Sequence, residues 1–289
     1  MLKHVSLECG VTMSADTMTV TPLAGALGAE VRGLDLAQSL DDRAAKALRD
    51  AWLTHLVLFF RDQPLSSEGL MRLASHFGPP VEYPFLSGID GFPVITPVIK
   101  EAHEKLNFGG CWHSDTAYLE CPPRATVLIA REVPPFGGDT LFANMYLAYE
   151  SLSEGLRDLL DDLTAVNTSD SATIMRTKGA HDPEAPDGNK VYTAEHPVVR
   201  PHPETGRKAL YVNSAHTVRF KNMTAAESSP LLQYLFAHIT RPEYSCRFRW
   251  EVNSIAIWDN RCTQHNPIND YGGFRRVMHR ITVAGDRPV

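Results

Sequence analysis

The sequence predicts a mainly β protein, a sandwich or jelly roll carrying helices. Three observations lead there. From about residue 93 onward, short apolar and β-branched runs follow one another between Gly/Pro turns: FPVITPVI, ATVLIARE, DTLFANM, HPVVRPH, KALYVNS, CRFRW, SIAIWDN and FRRVMHRITVAG. Only two helical stretches interrupt them, so the strict βαβ alternation of a doubly wound sheet is missing. No GxGxxG follows a strand, which removes the usual dinucleotide-binding turn.

Taken in order, TMTVTPLAGALGAEVRGLDL alternates apolar and polar residues around Gly breaks and predicts two short strands. SLDDRAAKALRDAWLTHL has helical spacing with Ser39 as its N-cap, and runs into VLFFRDQ, a buried strand. SSEGLMRLASHFG predicts a second helix, capped by Ser66 or Ser67 and stopped at Gly78. MYLAYESLSEGLRDLLDDL and TAAESSPLLQYLFAHI supply the helices inside the β-rich region. Segment 167–190 is polar, rich in Pro, Gly and Ser and without periodicity, the signature of a functional loop or lid. Residues 1–15 read as an N-terminal extension, and 16–289 as a single domain.

Composition narrows the function classes. Hydrophobic residues make up 43% of the 289, enough for a sizeable core without disulfides. The net charge of −6 argues against a nucleic-acid or anionic-membrane surface, although a local pair of arginines can still bind a small anion. The 5 cysteines are scattered, odd in number and form no CxxC, which predicts reduced thiols and a cytoplasmic protein. The leading residues lack the apolar run of a signal peptide, no stretch approaches the length of a membrane span, and a homo-oligomer is expected.

The stretch GGCWHSDTAYLECPP carries His113 and Asp115 two residues apart, on one face if the chain is extended. In a chain with 12 histidines, such a pair needs company before it means a site. One imidazole and one carboxylate are two-thirds of a 2-His-1-carboxylate iron site, which leaves open coordination positions and needs one more histidine. His265, in WDNRCTQHNP after the strand SIAIWDN, is the best candidate. Downstream, Arg276, Met278 and Arg280 share one strand face, the two arginine stems starting about 13 Å apart. Two inward arginines are costly unless they meet anions, so both read as anchors for carboxylate or sulfonate groups. Arg275 and His279 fall on the other face. The same ligands could serve a jelly-roll metalloprotein of non-oxidative chemistry, a lyase or a zinc hydrolase, or a binding protein with a vestigial site.

These residues resemble the taurine/2,4-D dioxygenase (TauD/TfdA) family of Fe(II)- and 2-oxoglutarate-dependent oxygenases. The resemblance runs from about Val20 to the C-terminus, through TPLAGALGAEVRGLDL, FFRDQ, WHSD, PPRATVLIAREVPPFGGDTLFAN, HPVVRPHPETGRKALYVN, IAIWDNRCTQH and RRVMHRITVAGD. It implies a double-stranded β-helix core with flanking helices, and hydroxylation by O2 coupled to conversion of 2-oxoglutarate to succinate and CO2. It implies that His113, Asp115 and His265 bind the iron. Thr140, which the residue patterns did not single out, and Arg276 would then bind the distal carboxylate of 2-oxoglutarate. Arg280 matches the arginine that anchors a small anionic substrate: a sulfonate, sulfate ester, or aryloxy or alkyl carboxylate. The taurine-specific pattern is broken. Gly109 stands where those members have Asn, FGPPVEYP lacks their His after FG, and His216 replaces a pocket Phe. Gly109, Tyr118 and His216 are therefore candidate specificity residues.

Overall fold

The computed structural model describes residues 18–172 and 190–289. The expected extension over 1–15 and most of the expected lid over 167–190 lie outside the described residues. Strands β1 (Thr19–Pro22) and β2 (Ala29–Arg32) lead, followed by helix α1 (Asp42–His55), β3 (Val57–Phe60) and helix α2 (Ser67–Ser75). Next come β4 (Pro80–Val81), β5 (Thr96–Lys100), the long β6 (Ala125–Glu132) and β7 (Thr140–Asn144). Helices α3 (Met145–Glu150) and α4 (Glu154–Asp161) precede β8 (Thr164–Thr168), β9 (Thr193–Pro197), β10 (Val199–Pro201), β11 (Lys208–Leu210) and β12 (Thr217–Phe220). Helix α5 (Ala225–Ile239) leads into β13 (Ser245–Phe248), β14 (Ile255–Asp259), β15 (Thr263–Pro267) and β16 (Arg276–Val283).

The main sheet runs β1-β2-β3-β14-β6-β16-β4, with β5 also paired to β16. A three-stranded sheet, β13-β7-β15, packs against its inner face. Phe59 of β3 stacks on Phe248 of β13 at 4.1 Å, and Phe142 of β7 meets Trp258 of β14 at 5.6 Å. This is the jelly-roll core expected of the sequence. The alternation within each strand shows why the runs looked uniformly apolar. Leu58, Phe60, Val127, Ile129, Ile255, Ile257 and Ile281 face one core, which holds Leu48 and Trp52 of α1 and Leu70 of α2. Phe59, Ala130, Ala256, Trp258 and Met278 face the second core, between the sheets. A sheet covered on both faces loses its polar stripe, so period two survives only as a choice between two cores.

Local details differ from expectation in three places. The N-cap of α1 is Asp41, whose carboxylate accepts from the Ala44 amide at 2.6 Å, not Ser39. A charged acceptor three residues before the bonded amide gives the better cap. The stretch from Met145 forms two helices, because it breaks at Ser151–Ser153. The strand expected over FPVITPVI is confined to Thr96–Lys100. At α2, Ser66 is the cap and bonds the Gly69 amide. All four described cysteines are free thiols.

Candidate active site

The site grows from a single β-bridge. His113 donates its amide to the His265 carbonyl at 3.0 Å, and His265 returns the bond at 2.8 Å. This reciprocal pair sets the imidazoles side by side, with ring centroids 4.1 Å apart. His265 lies in the middle of β15, whose pairing with β7 fixes its direction. Asp115 follows two residues after His113, with Oδ1 at 3.9 Å from His113 Nε2. One donor atom from each of the three lies within 4.8 Å of the others, and all three residues are buried.

Their orientations are held from behind. The Cys111 carbonyl lies 2.8 Å from His113 Nδ1, which leaves Nε2 facing the cavity. Thr126, on the inner face of β6, donates its hydroxyl to Asp115 Oδ2 at 2.6 Å. Asn260 donates Nδ2 to that hydroxyl at 2.9 Å, while its Oδ1 accepts from the Asp115 amide and from Trp258 Nε1. A chain from indole to amide to hydroxyl thus ends on one carboxylate oxygen and directs the other, Oδ1, toward the histidines. Arg280 Nη1 also reaches Oδ1, at 3.2 Å.

Electrostatics match the geometry. Burial lowers the His113 and His265 imidazoles below their ordinary range, which favours the neutral form that ligates a metal. Burial pushes the Asp115 carboxyl up, but His265, Arg280, His113 and the Thr126 hydrogen bond outweigh it and hold the group ionised. Two neutral imidazoles and one carboxylate, all with hydrogen-bonded or buried surroundings, fit a divalent cation with open positions.

A cavity of about 430 Å³ opens beside the triad, lined by His113, His265, Gly109, Thr140, Arg276 and Arg280 among others. Arg276 and Arg280 stand on the inner face of β16, 6% and 5% exposed. Nε and Nη2 of both guanidiniums have no hydrogen-bond partner among the described residues. Buried donors of that kind need an anion. Thr140, the first residue of β7, accepts from Trp250 Nε1 at 3.0 Å. Gly138, with φ +70°, sits where a Cβ would press on Pro134 Cγ at 3.2 Å and Tyr271 Cδ1 at 3.3 Å. Gly109 also has positive φ, and a Cβ there would meet His113 Cε1 at 3.0 Å.

Tyr118 and His216 are not among the lining residues. They pack edge-to-face with each other at 4.8 Å, and His216 backs His113 at 6.1 Å. Burial lowers the His216 imidazole to about 3. Tyr118 belongs to an aromatic group with Tyr83 and Phe85. The Arg280 guanidinium lies over Tyr83 at 4.5 Å and over Phe108 at 5.4 Å. Outside the cavity, Arg275 bonds Glu101 and Glu132, and His279 lies 3.4 Å from Arg131 Nε.

Thr126, Asn260, Trp258 and Trp250 were not found from the sequence. Asn260 had a signal, its place in WDN just ahead of His265. Thr126 had none. It matters because β6 pairs with β14 and β16, which sets it opposite Trp258 and Thr282. A second buried group, His202, Asp259 and Cys262, has its carboxylate taken by Arg261 at 2.7 and 2.8 Å and by His202 at 3.0 Å.

A jelly roll with a buried His-Asp-His group and two buried arginines beside one cavity fits the 2-His-1-carboxylate pattern of mononuclear oxygenases. The comparisons agree. Residues 19–282 match the family described as taurine catabolism dioxygenase TauD, TfdA family. An α-ketoglutarate-dependent sulfate ester dioxygenase of Pseudomonas putida is 38% identical, over 94% of this chain and 91% of its own. An alkylsulfatase of Acinetobacter baylyi is 35% identical over 91% of this chain and 84% of its own. A solved taurine dioxygenase from Burkholderia xenovorans superposes with a TM-score of 0.81 at 36% identity, covering 94% and 91% of the two chains. The chain belongs to the TauD/TfdA family and is an α-ketoglutarate-dependent dioxygenase. Among the described residues, no helix is long and apolar enough to cross a membrane.

Proposed function

We propose that the protein is an Fe(II)-dependent hydroxylase of a small organic anion. His113, Asp115 and His265 hold the iron, Thr140 and Arg276 hold the distal carboxylate of 2-oxoglutarate, and Arg280 meets the anionic group of the substrate. Bound iron with O2 and 2-oxoglutarate supplies the oxidising power, yielding succinate and CO2. The chain's own residues bind, orient and exclude water. The observation that carries this reading is one cavity that brings His113 and His265 together with two buried guanidiniums, each with Nε and Nη2 lacking a partner among the described residues.

A sulfate ester is favoured within the class. Both relatives described above act on sulfates by name. Gly109 leaves room directly against His113, where any side chain would intrude. The aromatic group of Tyr83, Phe85 and Tyr118, with Phe108 over Arg280, suits an anion carrying an apolar body. Tyr118 and His216 act from behind the wall, by shaping it. Hydroxylation of the carbon that bears the ester oxygen gives a product that collapses to an aldehyde and free sulfate. No comparison favours the non-oxidative lyase or hydrolase alternative. The same reading takes residues 16–289 as one catalytic domain in a cytoplasmic homo-oligomer, without nucleic-acid or membrane partners, and 167–190 as a cover for the cavity.

A panel of alkyl sulfates, sulfonates and aryloxy acids, read out by succinate and by mass of the oxidised product, tests this. Substrate-dependent succinate with release of sulfate from alkyl sulfates is expected. Iron-loaded protein that turns over none of the panel would overturn it.

A further inference from the structure

Beyond Arg276 the cavity continues into a narrow extension lined by Lys100, Asn107, Tyr271 and Arg276, with Val98, Phe108 and Pro267 shared between the two. Lys100 is the last residue of β5 and pairs directly with Arg276 of β16. Directly opposed residues of an antiparallel pair project to one face with Cβ atoms about 5 Å apart. Lys100 is 3% exposed, and its Nζ has no hydrogen-bond partner among the described residues. Nζ lies over the Tyr271 ring, 4.4 Å from its centroid. Asp139, Asp270 and Glu104 carry the carboxylates around Arg276 and Tyr271, and Glu104 accepts from the Glu101 amide at 2.6 Å. Asp139 accepts from Arg247 at 2.6 Å, and Asp270 accepts from the Gly138 amide at 2.7 Å.

Two like charges facing each other across a strand pair, both buried, oppose folding. The arrangement becomes favourable when an anion enters beside them. We propose that Lys100 is a second cation of the co-substrate site, acting with Arg276 on the carboxylate farthest from the His-Asp-His triad. The inference rests on the proposed co-substrate placement and adds a residue that the sequence motifs did not include. The ammonium is a compact donor on a flexible stem, so it can leave the Tyr271 face for a carboxylate, while Arg276 supplies the fixed fork.

Calorimetric titration of the Mn(II)-loaded protein tests it, using 2-oxoglutarate and 2-oxopentanoate, which has a methyl in place of the distal carboxylate. In Lys100→Met, 2-oxoglutarate should bind about 10- to 50-fold more weakly, the size of one lost charge-assisted contact. Binding of 2-oxopentanoate should stay within about twofold of the parent, and Lys100→Arg should keep most of the affinity for 2-oxoglutarate. Ligand-free Lys100→Met should melt at or above the parent temperature, because one of two opposed charges is gone. Equal weakening of both ligands, no weakening of either, or a lower ligand-free melting temperature would each assign Lys100 a structural role and sink the proposal. Absence of 2-oxoglutarate binding to the parent would sink the co-substrate placement as well.

Discussion

Replacing Thr126 with Val removes the hydroxyl that orients the Asp115 carboxylate and that accepts from Asn260. Thr126 is fully buried in β6, and Val matches its shape, so packing is kept while the hydroxyl is lost. The lost bond is short, 2.6 Å, and its acceptor is charged. Hydrogen bonds to charged groups are worth about 1.5–3 kcal/mol, which corresponds to about 10- to 150-fold in an equilibrium constant. Outer-shell partners of metal ligands show a similar span, about 10- to 100-fold in affinity. Arg280 still holds Oδ1, so the loss should fall near the lower end, about 10- to 30-fold in metal dissociation constant. The assay is chelator competition with Mn(II), or anaerobically with Fe(II), alongside melting of the metal-free protein. Thr126→Ser, which restores the hydroxyl, should recover most of the affinity. A dissociation constant within twofold of the parent in Thr126→Val would refute the claim that this chain of bonds orients the ligand.

Three further outcomes are expected. Trp250→Phe removes the donor that Thr140 accepts, so the KM for 2-oxoglutarate should rise about threefold to tenfold, as for one neutral hydrogen bond, while the KM for the prime substrate stays unchanged. Gly109→Ala places a methyl 3.0 Å from His113 Cε1 at a positive φ, and should cost about 1 kcal/mol of stability and weaken metal binding in the same titration. Asp259→Asn breaks the buried group with Arg261 and His202 and should destabilise the fold by about 3 kcal/mol in denaturant titrations near neutrality. The pH dependence has a defined sign. Burial raises the Asp259 carboxyl, but Arg261 and His202 outweigh it and bring it down to about 2. A carboxyl lowered on folding stabilises above its unfolded value near 4, so on the order of 2 kcal/mol should be lost as pH falls from about 4 toward 2. In Asp259→Asn that loss should be missing. A parent–variant gap that stays constant across the window would show that Asp259 is not the group responsible.

Much of the fold was legible because strand-forming runs carry their own punctuation. ATVLIARE is β6 residue for residue, and SIAIWDN contains β14. The strands that were missed include β4, β8, β12 and β15; they are short, and their hydrogen bonds go to partners dozens of residues away. β15 is the instructive case. TQHNP has the composition of a loop, yet it is a strand because β7 lies beside it, and that pairing aims His265.

By itself, the sequence determined the chemistry on offer: two histidines and a carboxylate, and two arginines four apart on one strand. It did so because ligand spacing and period two are local properties of the chain. The tertiary structure decided what holds those groups in place. The bridge between His113 and His265, the bond from Thr126 to Asp115 and the facing of Lys100 with Arg276 join residues 152, 11 and 176 positions apart. Pairing register is set by the packing of whole sheets, and no local pattern encodes it.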